Sequence, residues 1–392
     1  MPNDYAPKQF LRQVRIELLR EYFTRRKVLG SVEWDKLKET EIEPIYDTWQ
    51  VLPEQMREEI EFEFRNVHGI ATGNGARAII EEGRFHGLNL TADLDAQDGY
   101  VNKAFWTLLE HPNVFDIAQL MNRADHLNGR YWRKRKNIPK TQPDVSQHAL
   151  KELADSIAAY YRENQGRGKH CWAEPYLRGG RYHYFFVYPQ DYTDTFVGYD
   201  DQGQFQRKPQ NRAFEVIYNY DPEGGTLDLY VQGGKDLVRD LQKLFGRAIL
   251  GEELGEEKRD SVPYDLNGLK RRDFSFSTDP ADRVKGAKVT AMRLSLLGNP
   301  RKRITFESGP KDPKAGIYDF IETALHEQRL PLSMVNVSAA VIQMIFENTN
   351  GGRRDERTLS FRITYPNSCN LKDSPEELLA KKYLKEWKIE RP

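Results

Sequence analysis

One stretch of the chain changes its hydrophobic period partway along. Residues 213–250 read AFEVIYNYDPEGGTLDLYVQGGKDLVRDLQKLFGRAIL, in which apolar and polar residues alternate on both sides of the turn DPEGG. A period of two is typical of a strand with one buried face, and the turn joins two such strands as a hairpin. The apolar residues after QGG recur at steps of three and four, which predicts a helix. The hairpin needs such a helix, or another sheet, to cover its apolar side.

The same order of strand, turn, strand, loop and helix recurs twice more. Residues 288–328 contain KVTAMRLSLLG, RITFES and IYDFIETALHEQ, and residues 334–389 contain MVNVSAAVIQMIFEN, RTLSFRITYP and SPEELLAKKYLKEW. The spacing of these ββα units is irregular and their side chains differ, so the chain is not a solenoid array. We predict one meandering antiparallel sheet with helices packed on one face. The segment MVNVSAAVIQMIFEN is apolar on both faces, which predicts a central strand.

The first third of the chain has a different pattern. Residues 8–29 place apolar side chains at helical steps, and helical spacing continues as far as RYWRKRK at 130–136. The segment NIPKTQPDVS at 137–146 holds two prolines and little that is apolar, which is typical of a linker. The predicted fold class is α+β, with a mainly helical domain over residues 1–140 and an antiparallel sheet domain of three ββα units over residues 141–392.

Composition narrows the class of protein. Lys plus Arg and Asp plus Glu number 59 each, so any nucleic-acid site must be local rather than spread over the surface. Cys171 and Cys369 lie far apart, which excludes a disulfide framework and favours a reducing cytoplasm. No run of about eighteen apolar residues is present, so we predict a cytoplasmic protein without a membrane span.

The motifs of common enzyme classes are missing from the sequence. It has no Walker A loop, no GxGxxG after a strand, no HExxH, no GxSxG and no zinc-ligand spacing of Cys and His. The glycine-rich GIATGNG before Arg77 reads better as a plain loop than as an anion site, because no strand precedes it. No pattern indicates a cofactor or a metal. The sequence therefore favours a non-enzymatic protein, while an enzyme whose site is assembled from distant single residues stays an open alternative.

Basic residues at turns and beside aromatic residues are the main functional candidates. Cations on projecting turns can reach phosphates, and adjacent aromatic rings can stack on bases. Such cations occur in RYWRKRK, in KRR, in the second hairpin tip NPRKR and in the third tip NGGRRDER, whereas the first tip DPEGG is acidic. The predicted nucleic-acid-binding residues are Arg130, Trp132, Arg133, Lys134, Arg135, Lys136, Lys270, Arg271, Arg272, Arg301, Lys302, Arg303, Arg353, Arg354 and Arg357.

These cations lead to a functional hypothesis with alternatives. We predict a non-catalytic nucleic-acid-binding or recognition subunit of a bacterial multi-protein system, with DNA or RNA as its partner. One alternative is a protein–protein adaptor or scaffold that contacts other subunits, for which antiphage defence is one setting. Another is an enzyme whose site the motifs do not show. Solvated turns that serve only solubility explain the same charges without any binding partner.

Overall fold

The protein combines helices with antiparallel sheets, so the α+β class is confirmed. The structure, a computed structural model, describes residues 5–38, 41–200, 203–257, 262–309, 317–325, 330–347, 357–371 and 375–391. The chain divides into two compact units. Unit 1 comprises Met1–Leu127, Arg178–Gly180 and Thr195–Lys208, and unit 2 comprises Asn128–Leu177, Arg181–Asp194 and Pro209–Pro392.

Unit 1 is built mainly from helices around one apolar core. In the second helix, Leu18, Leu19, Tyr22 and Phe23 are buried because they recur at three- and four-residue steps. The ring of Phe64 packs against them from another helix, 5.1 Å from the ring of Tyr22. The helices described in unit 1 are α1 (Pro7–Leu11), α2 (Ile16–Arg25), α3 (Glu43–Gln50), α4 (Glu54–Ile70), α5 (Gly73–Phe85), α6 (Thr91–Asp95), α7 (Gly99–Glu110) and α8 (Pro112–Asp125).

The glycine-rich segment GIATGNG forms the start of α5. The Oγ1 atom of Thr72 accepts a hydrogen bond from the backbone N–H of Gly75 at 3.0 Å, which is the usual arrangement of a helix N-cap. A Cβ atom at Gly75 would lie 1.8 Å from the carbonyl oxygen of Ile70, so only glycine fits there. Gly75 therefore has a structural explanation in the entry to this helix.

The first sheet, which belongs to unit 2 except for residues 178 and 195–208 of its strands, is covered on one face by two helices. Its strands lie in the order β1-β6-β5-β3-β2, and β4 pairs with β3. Phe245 stacks on Tyr218 with 4.7 Å between ring centroids, so the helix after the opening hairpin covers that hairpin. The elements are β1 (Trp132–Lys136), α9 (Gln147–Gln165), β2 (Cys171–Arg178), β3 (Tyr182–Tyr199), β4 (Phe205–Ala213), β5 (Val216–Asp221), β6 (Thr226–Tyr230) and α10 (Lys235–Phe245), which continues into a π-helical turn, Gly246–Leu250.

The second sheet of unit 2 also buries one face under helices. Its order is β11-β10-β9-β7-β8, so the prediction that MVNVSAAVIQMIFEN forms a central strand is confirmed. Ile321, Tyr383 and Leu384 come from the covering helices and join the apolar core beneath this sheet. The elements are β7 (Val284–Leu296), β8 (Asn299–Glu307), α11 (Ile317–Ala324), β9 (Val335–Phe346), β10 (Arg357–Thr364), β11 (Ser368–Cys369) and α12 (Pro375–Glu386).

Two expectations about the sheets are wrong. The predicted single meander is instead two sheets, because the hairpin β5–β6 pairs with β1 and β3 while β7 to β11 pair among themselves. The prediction that RYWRKRK continues the helical pattern is also wrong. Residues 132–136 form β1, which pairs with β6 from Trp132 opposite Tyr230 to Lys136 opposite Thr226. A strand this rich in cations is stable there because its side chains form ion pairs with an acidic group and donate hydrogen bonds to carbonyl groups.

The predicted linker and the polar segment after α10 are both held in place within unit 2. In the predicted linker, the backbone N–H of Ile138 donates to Gly225 at 3.0 Å, and that of Asp144 donates to Ile249 at 2.8 Å. The long polar connection after α10 contributes Tyr264, Leu266 and Leu269 to the core beneath the second sheet. Both segments therefore belong to the packed structure, which their polar composition does not reveal.

Candidate nucleic-acid interface

The predicted basic residues differ sharply in their surroundings. Arg353, Arg354 and the side chain of Arg130 lie outside the part of the chain that the structure describes. The others fall into three groups: a strand whose cations turn inward, residues paired with acids or carbonyls, and an exposed hairpin tip.

The strand β1 turns its cations toward the interior of unit 2. The Nζ atoms of Lys134 and Lys136 lie 3.4 and 3.1 Å from one oxygen of Glu390, a carboxylate that is only 3% exposed. Burial alone would raise the pKa of Glu390, but the two ammonium charges outweigh it and hold that pKa below its ordinary value. Glu390 therefore stays ionised in the interior and compensates the charge of the strand.

The remaining side chains of β1 are engaged as well. Arg135 is 6% exposed and donates a hydrogen bond to the carbonyl oxygen of Gly255. The Nη1 atom of Arg133 donates to the carbonyl oxygen of Trp132 at 2.9 Å, and the ring of Trp132 packs 5.5 Å from that of Tyr230. Lys134, Arg135 and Lys136 are part of the core, so we leave this strand out of the interface.

Cations of the second group are already paired, and of these Arg271, Arg272 and Arg357 are exposed. Arg271 lies 2.6 Å from a carboxylate oxygen of Asp273, and Arg272 lies 2.9 Å from Glu322 and also pairs with Asp319. Arg357 pairs with Glu376. Lys270 donates to the carbonyl oxygens of Leu332 and Val335 at 3.0 and 3.1 Å, which ties it to the start of β9. These partners compete with any external anion.

The tip of the β7–β8 hairpin carries the third group. Arg301, Lys302 and Arg303 are exposed, and within the described residues none of them forms an ion pair. The strand β8 lies at the edge of its sheet, which leaves these side chains accessible. Of the predicted residues, these three have the surroundings expected of a phosphate contact.

Strand register decides which side of the sheet each of these cations faces. Met292 opposes Phe306 and Leu294 opposes Ile304, and these pairs point to the face that α11 and α12 cover. Side chains alternate along a strand, so the intervening residues point to the opposite face. This opposite side, called the open face below, carries Arg293, Ser295, Arg303 and Thr305.

A third arginine on the open face comes from β10. Arg362 lies between Phe361 and Ile363, which are both buried in the core, so its side chain points to the open face. It is exposed, as is Arg303 at the other side of the sheet, and Arg293 lies on β7 between them. We call Arg293, Arg303 and Arg362 the arginine row.

The centre of the arginine row is fixed by two hydrogen bonds. The Nε atom of Arg293 donates to Ser338 Oγ at 3.1 Å, and Ser338 Oγ donates to the carbonyl oxygen of Arg293 at 3.0 Å. Arg293 is half-buried. Its burial first, and then the positive charges of Arg303 and Arg362, lower the pKa of its guanidinium. Arg303 and Arg362 are therefore each close enough to Arg293 to repel its charge.

The described part of the chain does not neutralise this charge. No carboxylate among the described residues forms an ion pair with any member of the arginine row. Glu307 lies on the open face opposite Ala291 but also forms no ion pair with a described residue. Like charges held together without a counter-charge favour the binding of an anion, because an anion relieves the repulsion.

Sequence reasoning identified Arg303 but missed Arg293 and Arg362. Both stand singly within strands, in AMRLS and SFRIT, and neither belongs to a basic run. The alternation of these strands does place each arginine on the polar face, which is the signal that could have found them. Their proximity to Arg303 depends on the strand order β10-β9-β7-β8, which the sequence does not reveal.

The arrangement supports anion binding rather than a recognisable catalytic centre. Where residues are described, no group of three or more His, Cys, Asp or Glu side chains is placed to hold a metal ion.

Among the described helices, none is long and apolar enough to cross a membrane. Comparison with protein-family models found no match to this chain, and comparison with curated proteins likewise found none.

Proposed function

We propose that the protein is a non-catalytic nucleic-acid-binding subunit of a bacterial multi-protein system and acts in the cytoplasm. The phosphates of DNA or RNA would lie on the open face, against the arginine row and the exposed tip residues Arg301 and Lys302. One observation carries this proposal: three arginines share an open sheet face on which the described residues supply no ion-pair partner.

The chemistry of the open face suits phosphates better than bases. Besides its arginines it presents the hydroxyl groups of Thr305 and Ser360. Guanidinium and hydroxyl groups are common donors to phosphate oxygens, and such contacts position a strand without reading its sequence. We therefore expect binding that depends strongly on salt and weakly on sequence.

A salt-dependent titration tests the proposal. Labelled duplex and single strands are titrated with the wild-type protein and with Arg303→Gln at several salt concentrations. Removal of one phosphate contact should weaken binding to all sequences alike and lower the salt slope by about one. Arg271→Gln is the matched control, because Arg271 is exposed in the same unit but paired with Asp273. No binding at low salt, or binding without a salt slope, contradicts the proposal.

A second candidate function, that of a protein adaptor, is favoured by a different observation in unit 1. The hairpin segment Thr195–Lys208 exposes Val197, Tyr199 and Phe205, and Tyr199 is 69% exposed. Exposed apolar side chains grouped on one hairpin are typical of protein-binding surfaces. If the adaptor function is correct, Tyr199→Ser with Phe205→Ser should abolish co-purification of a partner that the wild-type protein retains. A wild-type protein that purifies without any partner would contradict it.

We also infer that the ββα segment is a packing unit that the chain uses three times. Two observations support this inference. The element order places a helix after each hairpin, and in the first unit Phe245 of α10 stacks on Tyr218 of the hairpin. Phe245→Ala should lower the free energy of unfolding by about 3 kcal/mol, as for other buried aromatic side chains. Denaturant unfolding measures this, and a loss below about 1 kcal/mol would show that the helix does not stabilise its hairpin.

A further inference from the structure

The hairpin segment Thr195–Lys208 of unit 1 has two faces of different character. The backbone N–H of Asp200 donates to the carbonyl oxygen of Gln204 at 3.0 Å, which sets the register of the two strands. Residues opposite each other share a face, and the side chains alternate between faces along each strand. Counted outward from this pair, one face, called the aromatic face below, carries Val197, Tyr199, Phe205 and Arg207.

The two rings of the aromatic face remain accessible. The ring centroids of Tyr199 and Phe205 lie 5.8 Å apart, and the ring planes are tilted by 71°. Both side chains are more than half exposed. Two rings stacked on each other would cover one face of each, whereas this edge-to-face arrangement leaves ring surface available to a flat ligand.

The charge of the hairpin also differs between its two faces. The guanidinium of Arg207 lies 5.6 Å from the ring of Phe205 and forms no ion pair with a described residue. In residues 195–200 and 203–208, the carboxylate present is that of Asp200, which the alternation places on the opposite face. There it accepts a hydrogen bond from Nε2 of Gln206 at 2.5 Å. The aromatic face therefore combines ring surfaces with a cation and, in this part of the hairpin, has no carboxylate.

Aromatic rings beside cations suit a single strand of nucleic acid, because bases stack on the rings while the cations contact phosphates. The bases of a duplex are paired and stacked on one another, so their faces are not available. We infer that the aromatic face stacks unpaired bases of a single strand and that Arg207 contacts an adjoining phosphate. This inference rests on the proposed function and specifies the form of nucleic acid that the hairpin recognises.

Strands with and without bases separate stacking from charge. A labelled pyrimidine single strand is compared with an abasic strand of the same length, which keeps the phosphates, and with a duplex. At near-physiological salt, the complete strand should bind about tenfold more tightly than the abasic strand. Tyr199→Ala should remove most of this difference and leave the affinity for the duplex unchanged. Tyr199→Phe keeps the ring and should keep the affinity for the single strand.

An exposed ring elsewhere in unit 1 provides the matched control. Phe62 of α4 is exposed to a similar degree but follows the acidic residues Glu58 and Glu59 by one helical turn. These carboxylates repel phosphates, so Phe62→Ala should leave the affinity for the single strand unchanged. Phe205→Ala repeats the test at a second exposed ring if Tyr199→Ala disturbs the hairpin.

Three outcomes would overturn the inference. Equal affinity of the wild-type protein for the complete and the abasic strand would do so and leave the proposed function standing. Tyr199→Ala and Phe205→Ala variants that keep full affinity for the single strand but lose a co-purified protein partner would assign the hairpin to the adaptor function instead. Failure to bind any strand at low salt would overturn both the inference and the proposed function.

Discussion

Two basic regions of unit 2 have opposite surroundings in the fold. Strand β1 carries WRKRK, but Lys134 and Lys136 share the buried carboxylate of Glu390. The arginine row is assembled from three strands, and no described carboxylate pairs with it. A run of cations therefore says little about binding, because the location of the counter-charge decides whether a cation is structural or available.

The largest effect is expected at the buried carboxylate. Glu390→Gln removes the carboxylate that Lys134 and Lys136 share, leaves Asp228 as the remaining acidic neighbour of Lys134, and should lower the free energy of unfolding by about 3 kcal/mol. Urea unfolding measures the loss. The control is Glu386→Gln, an exposed acid 3.8 Å from Lys382, which should change stability by less than about 0.5 kcal/mol. Similar small losses for both variants would show that the strand does not depend on Glu390.

The next largest effect is expected from removing one cation from strand β1. Lys136→Gln should cost about 2 kcal/mol of stability, because it breaks a buried charge-assisted contact, and should leave nucleic-acid affinity unchanged in the folded protein. Unfolding and binding titrations on the same preparation separate the two quantities. A loss of affinity at unchanged stability would show that β1 belongs to the interface and that the two basic regions do not differ in this respect.

The dependence of stability on pH is a third test, of the buried contact between Glu390 and the two lysines. The folded state holds the pKa of Glu390 below its ordinary value of 4.5, so the ionised carboxylate stabilises the fold. This contribution is fully present above about pH 4.5, the pKa of the unfolded state, and is lost as pH falls through the lower folded pKa. The stability difference between wild type and Glu390→Gln should therefore shrink in acid. A difference that stays constant down to about pH 3 would contradict the assignment.

The smallest effect on stability is expected in the arginine row. Arg362→Gln removes an exposed cation that repels Arg293, so stability should stay within about 0.5 kcal/mol of wild type and should not fall. Thermal unfolding measures this, with Arg271→Gln as the control that loses an ion pair to Asp273. A clear destabilisation would mean that Arg362 has a structural partner, which would make the two basic regions alike.

Local pattern predicted much of this fold, and non-local pairing explains the rest. Alternation identified the hairpins and the central strand β9, and turn residues placed Arg301 to Arg303 at an accessible tip. The division into two sheets was not predictable, because the residues of β1 and β6 give no sign that they pair with each other. The burial of WRKRK depends on Glu390, and the arginine row depends on register across four strands. Neither relation can be recognised within a short window of sequence.

The contact between Lys134 and Glu390 also has a consequence for the order of events during synthesis. The two residues are separated by 256 positions, so the ribosome completes β1 long before it makes the carboxylate that compensates it. At an elongation rate of about 5 to 20 residues per second, the strand waits roughly ten to fifty seconds for this residue. During that time the first sheet can form its β5–β6 hairpin and bring Asp228 opposite Lys134, but Lys136 still lacks its carboxylate partner. The final closure of unit 2 is therefore a late event, and the nascent chain exposes this cationic edge until Glu390 is made.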